Sequence, residues 1–146
     1  MSSPVSDETR RLVAERADFL CEYCLLNEDD GFFAFQVDHI ISRKHGGSSD
    51  SANLAFACPA CNRHKGSDIA TLSRRTGALT RFFHPRTDVW AAHFSHNGTR
   101  IEPLTDIGDS TARILRFNED ARLAERQALI TTGRYPSIAA LARLRR

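Results

Sequence analysis

The chain has 146 residues and a formal net charge of +2, and 41% of its residues are hydrophobic. This length fits one domain with a modest core, and the composition is ordinary for a globular protein. No run of about 18 apolar residues occurs, which excludes a membrane-spanning helix on length. The N-terminal residues have neither the basic nor the apolar stretch of a signal peptide, so we expect a cytoplasmic protein whose four cysteines stay reduced.

The charge is unevenly distributed along the chain. Residues 1–30 carry eight acids and three bases, residues 31–100 carry four acids and nine bases, and residues 101–146 carry six acids and eight bases. A basic middle segment suits a polyanionic partner, because neutralising phosphates releases counterions. A solvated basic face is the alternative explanation.

The first half of the chain predicts one helix and then a strand–loop–strand–helix unit. The helix runs from Ser6 to about Ala17, with Ser6 as its cap and acidic residues in its first turn. A tight knuckle at Cys21–Cys24 and a polar turn follow. Phe and Val content predicts the first strand, and Ser and Gly content predicts the loop. Pro59 fits the first position of the helix. The elements of the unit are Phe32–Ile41, Ser42–Ser51, Asn53–Ala57 and Pro59–Gly66.

The second half predicts a hairpin and three helices. Residues 67–86 read as an irregular basic segment with some helix at Ile69–Arg75. A hairpin is predicted over Trp90–Leu104, because Asn97-Gly98 tolerates the positive φ angles of a type I′ turn. Helical patterns then cover residues 106–117, residues 118–132 up to a stop at Gly133, and residues 137–146.

All four cysteines fall into two matched pairs, Cys21-x-x-Cys24 and Cys58-x-x-Cys61. Two sulfurs at this spacing face one tetrahedral ion, and soft thiolates favour Zn²⁺. The 33 residues between the pairs exceed the usual zinc-ribbon spacing and can loop out as the two strands. We therefore predict a structural zinc site beneath the strand–helix unit. An exposed redox pair and buried free cysteines are alternatives that leave the pairing unexplained.

A second set of residues carries a family resemblance. Asp38-His39-Ile40, Asn53-Leu54 and the segment from Cys61-Asn62 to Lys65, framed by the cysteine pairs, resemble the HNH endonuclease family. The third motif position is Asn62 where the family name has His. The resemblance covers about residues 21–66. It implies an α+β fold, namely a ββα-metal (His-Me finger) nuclease core with structural zinc, an N-terminal helix and a C-terminal extension of a hairpin and helices.

The resemblance also implies an organisation of the chain. We expect a single domain over residues 1–146, with the nuclease core at residues 18–70 and the C-terminal extension at residues 80–146.

The resemblance assigns roles to the matching residues. His39 is the general base, Asp38 and Asn62 hold a catalytic Mg²⁺ or Mn²⁺, and Asn53 fixes the loop and orients His39. These residue types suit the chemistry, because neutral imidazole accepts a proton near pH 7 and hard oxygens bind such cations. Three basic residues are expected to contact substrate phosphate: Lys65, Arg63 and Arg43.

One geometric condition must hold for this assignment. Neighbouring side chains in a regular strand point to opposite faces, so Asp38 and His39 serve one site only if the strand ends or twists there. Each residue also has a structural explanation: His39 as a core histidine, Asp38 as a turn cap, and Asn53 and Asn62 as ordinary turn and helix-start residues.

The resemblance implies an endonuclease that hydrolyses DNA with a divalent cation and leaves 5′-phosphate and 3′-hydroxyl ends. The alternative is a non-catalytic zinc module that binds nucleic acid or a protein, which would need the cysteines but not Asp38, His39 or Asn62. A nuclease for structured RNA differs only in substrate, and no aromatic stacking platform in the sequence favours it. No motif in the sequence indicates which nucleotide sequence is cut or how many chains assemble.

Overall fold

The computed structural model of the chain describes residues 5–145. Residues 1–4, part of the stretch examined for a signal peptide, and Arg146, the end of the last predicted helix, lie outside this range. The helices are α1 (Asp7–Arg16), α2 (Pro59–Lys65), α3 (Trp90–His93), α4 (Asp106–Ile114), α5 (Asp120–Thr131) and α6 (Ile138–Leu144). The strands are β1 (Gln36–His39), β2 (Leu54–Ala57), β3 (Ala70–Leu72), β4 (Leu79–Arg81), β5 (Phe94–Asn97) and β6 (Arg100–Pro103). Among the described helices, none has the length and apolar character that crossing a membrane requires.

Strands β1 and β2 with helix α2 form the centre of the fold. The two strands pair antiparallel, with Gln36 opposite Ala57 and His39 opposite Leu54. Every residue of β2 is buried, so this strand lies in the core and β1 forms the edge nearer to solvent. Helix α2 lies against β1, and the predicted strand–loop–strand–helix order is confirmed.

The ends of helices α1 and α2 follow the predicted capping chemistry. The Ser6 hydroxyl accepts a hydrogen bond from the backbone N–H of Thr9 at 3.1 Å, which satisfies one free donor of the first turn. Helix α2 begins with Pro59 after Cys58, whose sulfur accepts from the N–H of Cys61 at 3.4 Å. Both helices therefore start where the sequence predicts.

The prediction of one long strand over Phe32–Ile41 is wrong in extent, because the strand spans only Gln36–His39. Strand β2 has only four residues, and its last residue, Ala57, pairs with Gln36. The residues before Gln36 therefore have no β2 residue to pair with. Phe32 and Phe33 consequently lie in a loop and are 95% and 76% exposed.

The predicted helix at Ile69–Arg75 is also wrong, because β3 and β4 form an antiparallel hairpin there. The N–H of Ser73 donates to the carbonyl of Ala78 at 2.8 Å, and the N–H of Phe82 donates to the carbonyl of Ile69 at 3.0 Å. Gly77 adopts a φ of 74°, which closes the turn. Pairing between β3 and β4 therefore overrides the weak helical pattern in this segment.

The predicted hairpin over Trp90–Leu104 exists, but its first part is different. Trp90–His93 is a short helix, and the strand begins at Phe94. Asn97 pairs with Arg100, so the loop residues are Gly98 and Thr99, and Gly98 has a φ of 63°. A positive φ at the first loop position alone is the pattern of a type II′ turn rather than the expected type I′ turn.

The C-terminal helices are shorter than predicted. Helix α5 starts at Asp120 and not at Asn118, because the Asn118 amide pairs with both the N–H and the carbonyl of Ile101 at 2.9 Å. Gly133, with a φ of 74°, follows α5 as predicted. These helices and the hairpin join the same apolar core as the central unit, with Phe56, Phe94 and Phe117 among its buried rings.

Gly108 tests the packing of α4 against the end of α3. A Cβ atom at this position would lie 2.2 Å from the carbonyl oxygen of His93, which is backbone and cannot rotate away. A helix-interior Gly→Ala change ordinarily stabilises by about 1 kcal/mol. We expect Gly108→Ala to lower the free energy of unfolding instead, as measured by urea denaturation. An unchanged or raised stability would contradict the observed contact.

Candidate active site and metal centre

The four cysteine sulfurs converge in the core. All four side chains are buried, none forms a disulfide, and their Sγ atoms all lie within 4.8 Å of one another. The Sγ atoms of Cys24 and Cys58 are 3.8 Å apart. Tetrahedral coordination with Zn–S bonds of about 2.3 Å requires sulfurs about 3.8 Å apart, so the donor set fits a closed zinc site. The predicted convergence of the two pairs is confirmed.

The C-terminal extension places a cation beside the sulfurs. Arg122 of α5 is buried, and its Nη2 lies 3.2 Å from Sγ of Cys61 and 3.7 Å from Sγ of Cys58. Burial lowers the pKa of this guanidinium, but the neighbouring sulfur charges outweigh burial and raise it above its ordinary value. A buried cation needs a negative partner, so Arg122 favours thiolates at this cluster.

Asp38 faces helix α2 and the cysteine knuckle. Its Oδ2 accepts a hydrogen bond from the Tyr23 hydroxyl at 2.7 Å, and its Oδ1 accepts from Nζ of Lys65 at 3.2 Å. Burial raises the pKa of the Asp38 carboxyl, while Lys65 and the hydrogen bond from Tyr23 oppose this rise. Tyr23 lies inside the first knuckle, so the sequence pattern gave no sign of this role.

Lys65 does not occupy the position expected of a phosphate contact. The side chain is 1% exposed, and its ammonium also donates to the backbone carbonyl of His39 at 3.0 Å. Its place one turn after Asn62 on the same helix face points it at β1 and away from solvent. Lys65 therefore neutralises Asp38 in the interior.

His39 lies on the opposite face of β1 from Asp38, and its Nε2 is 3.0 Å from Oγ of Ser49. Burial is the largest cause that lowers the pKa of His39 below its ordinary value. Arg43 and Lys65 lower this pKa further, and Asp38 opposes them. These charges favour a neutral imidazole near pH 7.

Asn53 braces the loop after β1 through side-chain hydrogen bonds to backbone atoms. Its Oδ1 accepts from the N–H of Ile41 at 2.9 Å, and its Nδ2 donates to the carbonyls of Ile41 and Ser48 at 2.9 and 2.7 Å. Gly47 lies beneath this brace, where a Cβ atom would be 1.7 Å from the Ile41 carbonyl oxygen. The hydrogen bonds of Asn53 and the close approach of Gly47 to Ile41 therefore fix the backbone conformation of this loop.

The two faces of β1 meet in one shallow groove at the end of the strand. The groove has a volume of about 370 Å³ and is lined by Val37, Asp38, His39, Ser42, Arg43, Lys44, Asn62, Gly66 and Ser67. Asn62 donates through its Nδ2 to Oε1 of Gln36 beside it. The strand ends at His39, so the geometric condition set by the alternation of side chains is met.

Arg43 and Arg63, the other two basic residues expected to contact phosphate, lie in different places. Arg43 lines the groove and donates to Oγ of Ser49 at 3.1 Å. Arg63 is exposed on α2 and lines a different cavity, of about 170 Å³, together with Phe32 and Phe33. The structure therefore brings Arg43, but not Arg63, to the groove.

The comparison with protein families matches residues 21–68 to the model described as HNH endonuclease. This segment is about a third of the chain and contains the four cysteines, β1, the braced loop, β2 and α2. The match confirms the family resemblance and the α+β fold class, and it supports a nuclease-like or nucleic-acid-related function. No curated protein and no solved structure gives a match to the chain.

Cys58 tests the metal centre, because this residue is both a cluster sulfur and the cap of α2. We expect Cys58→Ala to lose bound zinc in elemental analysis and to lower the melting temperature sharply, since metal binding contributes directly to folding stability. Loss of a cap alone costs about 1 kcal/mol, and Ser137→Ala at the cap of α6 measures that effect separately. Retention of zinc and of wild-type melting by Cys58→Ala would contradict the assignment.

Lys65 tests the buried ion pair. We expect Lys65→Met to destabilise the protein by about 3–5 kcal/mol, because Asp38 is left buried without its cation. Removing Lys65 raises the pKa of Asp38 further. A raised pKa in the folded state makes stability fall as the pH rises through that pKa, so the loss is smallest at acidic pH.

The control for this variant is Lys44→Met, which removes the exposed lysine of the groove loop. Urea denaturation at several pH values measures both variants, and Asp38→Asn combined with Lys65→Met should recover part of the stability. Equal effects of Lys44→Met and Lys65→Met would contradict the buried pair.

Proposed function

We propose that this chain, whose residues 21–68 match the HNH endonuclease family, is an endonuclease that hydrolyses DNA phosphodiester bonds with a divalent cation. The observation that carries the proposal is the shared groove of His39, Asp38 and Asn62. The groove brings together a base and two oxygen donors, of which Asp38 is almost entirely buried, and these are the parts that hydrolysis of a phosphodiester requires.

His39 is the general base in this proposal. Its imidazole accepts the proton of the attacking water and must be neutral to do so. Burial and the nearby positive charges of Arg43 and Lys65 lower its pKa, which keeps it neutral near pH 7. The Lys65 ammonium fixes the His39 backbone carbonyl and so holds the end of β1.

Asp38 and Asn62 are the residues that would hold Mg²⁺ or Mn²⁺. A carboxylate oxygen has two acceptor directions, and the hydrogen bonds from Tyr23 and Lys65 use one on each oxygen of Asp38. Asn62 donates its amide N–H to Gln36, which leaves its carbonyl oxygen for a cation. This hard oxygen set fits either ion. Bound there, the cation supplies charge neutralisation at the phosphate.

The substrate in this proposal is DNA. Arg43 and Lys44 line the groove and attract phosphate. The family resemblance implies 5′-phosphate and 3′-hydroxyl products. RNA is the less favoured substrate, because no aromatic stacking surface lines the groove.

The chain acts as a single domain in this proposal, with the core at residues 18–70 and the extension at residues 80–146. Contacts from the extension to the core support this arrangement. Arg122 reaches the cysteine sulfurs, and the hydroxyl of Tyr135 donates to the carbonyl of Cys24 at 2.8 Å.

A second candidate is a non-catalytic zinc module that binds nucleic acid or a protein. The observation that favours it is the position of Asp38, which is 4% exposed and already accepts two hydrogen bonds from the protein. In such a module Asp38 is a structural partner of Lys65 and Tyr23. The two candidates differ in whether the groove cleaves DNA.

Plasmid cleavage with Mg²⁺, Mn²⁺ or EDTA separates these candidates. General-base assistance is typically worth about 10²–10⁴-fold, so His39→Ala should lower the cleavage rate by this factor. Zinc content and melting temperature should stay unchanged, because His39 does not contact the cysteine cluster. His45→Ala, at an exposed histidine of the same loop, is the matched control. Wild-type cleavage by His39→Ala would remove His39 as the base, and no metal-dependent cleavage by the wild type would favour the zinc module.

A further inference from the structure

Ser49 links two side chains of the groove. Its Oγ lies 3.0 Å from Nε2 of His39 and accepts a hydrogen bond from Nη1 of Arg43 at 3.1 Å. A serine hydroxyl has one donor and two acceptor directions, so it can take the N–H of Arg43 and still bond to the imidazole. If Nε2–H of His39 donates to Oγ, the neutral ring is protonated at Nε2 and Nδ1 keeps a free lone pair. If the hydroxyl donated to Nε2 instead, Nδ1 would carry the ring proton and could not act as a base.

The loop is built so that Ser49 reaches His39. Asn53 holds the carbonyl of Ser48, the residue directly before Ser49, and ties Ile41 to the same amide. Gly47 allows the backbone to pass against Ile41, where no side chain fits. The chain between these fixed points is short, so the position of Ser49 follows from the brace.

The carboxylate next to His39 in the sequence cannot replace this contact. Asp38 points to the other face of β1, where both of its oxygens accept hydrogen bonds from Tyr23 and Lys65. Asn53, the residue expected to orient the base, bonds to backbone atoms of the loop. Ser49 is therefore the side chain through which the loop acts on the imidazole.

We propose that Ser49 is a positioning residue for His39, that its Oγ accepts a hydrogen bond from Nε2–H of His39 and so fixes the Nε2-protonated tautomer, and that Arg43 holds Ser49 in place. This inference rests on the proposed function. It assigns Arg43 a part in orienting the base as well as a place in the groove wall. Nδ1 of His39 is then the atom that receives the proton from water.

The experiment compares Ser49→Ala, Ser49→Thr and the control Ser48→Ala in the full chain loaded with zinc. Ser48 is the neighbouring exposed serine, and its hydroxyl contacts the N–H of Asp50 instead of His39. Partners that orient a functional histidine typically contribute about 10- to 100-fold in activity. We expect Ser49→Ala to lower kcat on plasmid DNA by about this factor without raising KM, Ser49→Thr to restore kcat, and Ser48→Ala to behave as wild type.

A second measurement does not depend on activity. The ¹⁵N chemical shifts of the His39 ring should report one tautomer in the wild type and in Ser49→Thr, and a mixture in Ser49→Ala. Unchanged shifts, or an unchanged kcat in Ser49→Ala while His39→Ala is inactive, would overturn the role of Ser49 and leave the proposed function intact. Wild-type cleavage by His39→Ala would overturn the proposed function itself, and the role of Ser49 in catalysis with it.

Discussion

Four buried sulfur atoms lie together where segments that are far apart in the chain meet. The first pair follows α1, the second pair opens α2, and Arg122 of α5 lies against the sulfurs from a third direction. A chain of this size buries a limited apolar core, so a metal ion bound by all four sulfurs would contribute directly to its folding stability.

The connection from the sulfur cluster to the groove runs through Asp38. Tyr23 belongs to the first cysteine knuckle and Lys65 belongs to the helix that carries Cys61, and both side chains bond to the same carboxylate. If the two knuckles shifted relative to each other, one of these hydrogen bonds would be lost in a buried setting, where an unsatisfied group costs about 1–3 kcal/mol. The cysteine cluster is therefore connected through Asp38 to the residues of the groove.

Several cationic side chains are buried in this domain, and each lies beside negatively charged or carbonyl groups that balance its charge. Lys65 has a carboxylate, Arg122 has sulfurs and the carbonyl of Leu115, and Arg126 has the carbonyls of Thr99 and Phe117. The last two arginines come from α5, so this helix closes the core with charge–dipole contacts as well as apolar packing. A positive charge counted in the sequence is therefore not the same as a positive charge available at the surface.

Sequence alone determined the features that depend on local chemistry. The cysteine spacing, the Ser6 cap, Pro59 at the start of α2 and Gly133 after α5 each involve residues within four positions of one another. The order of the central unit and the family resemblance followed from these signals and the Asp38-His39 pattern. The fold class was predictable for the same reason.

Tertiary structure decided which partner each side chain meets across long separations. Lys65 turns inward because Asp38, 27 residues earlier, lies opposite its helix face, and Arg122 meets Cys61 across 61 residues. The hairpin of β3 and β4 replaces a predicted helix because strand pairing, not local propensity, satisfies its backbone. Ser49 and Tyr23 had no signal in the sequence, since their roles exist only where a braced loop and a cysteine knuckle bring a hydroxyl to one imidazole and one carboxylate.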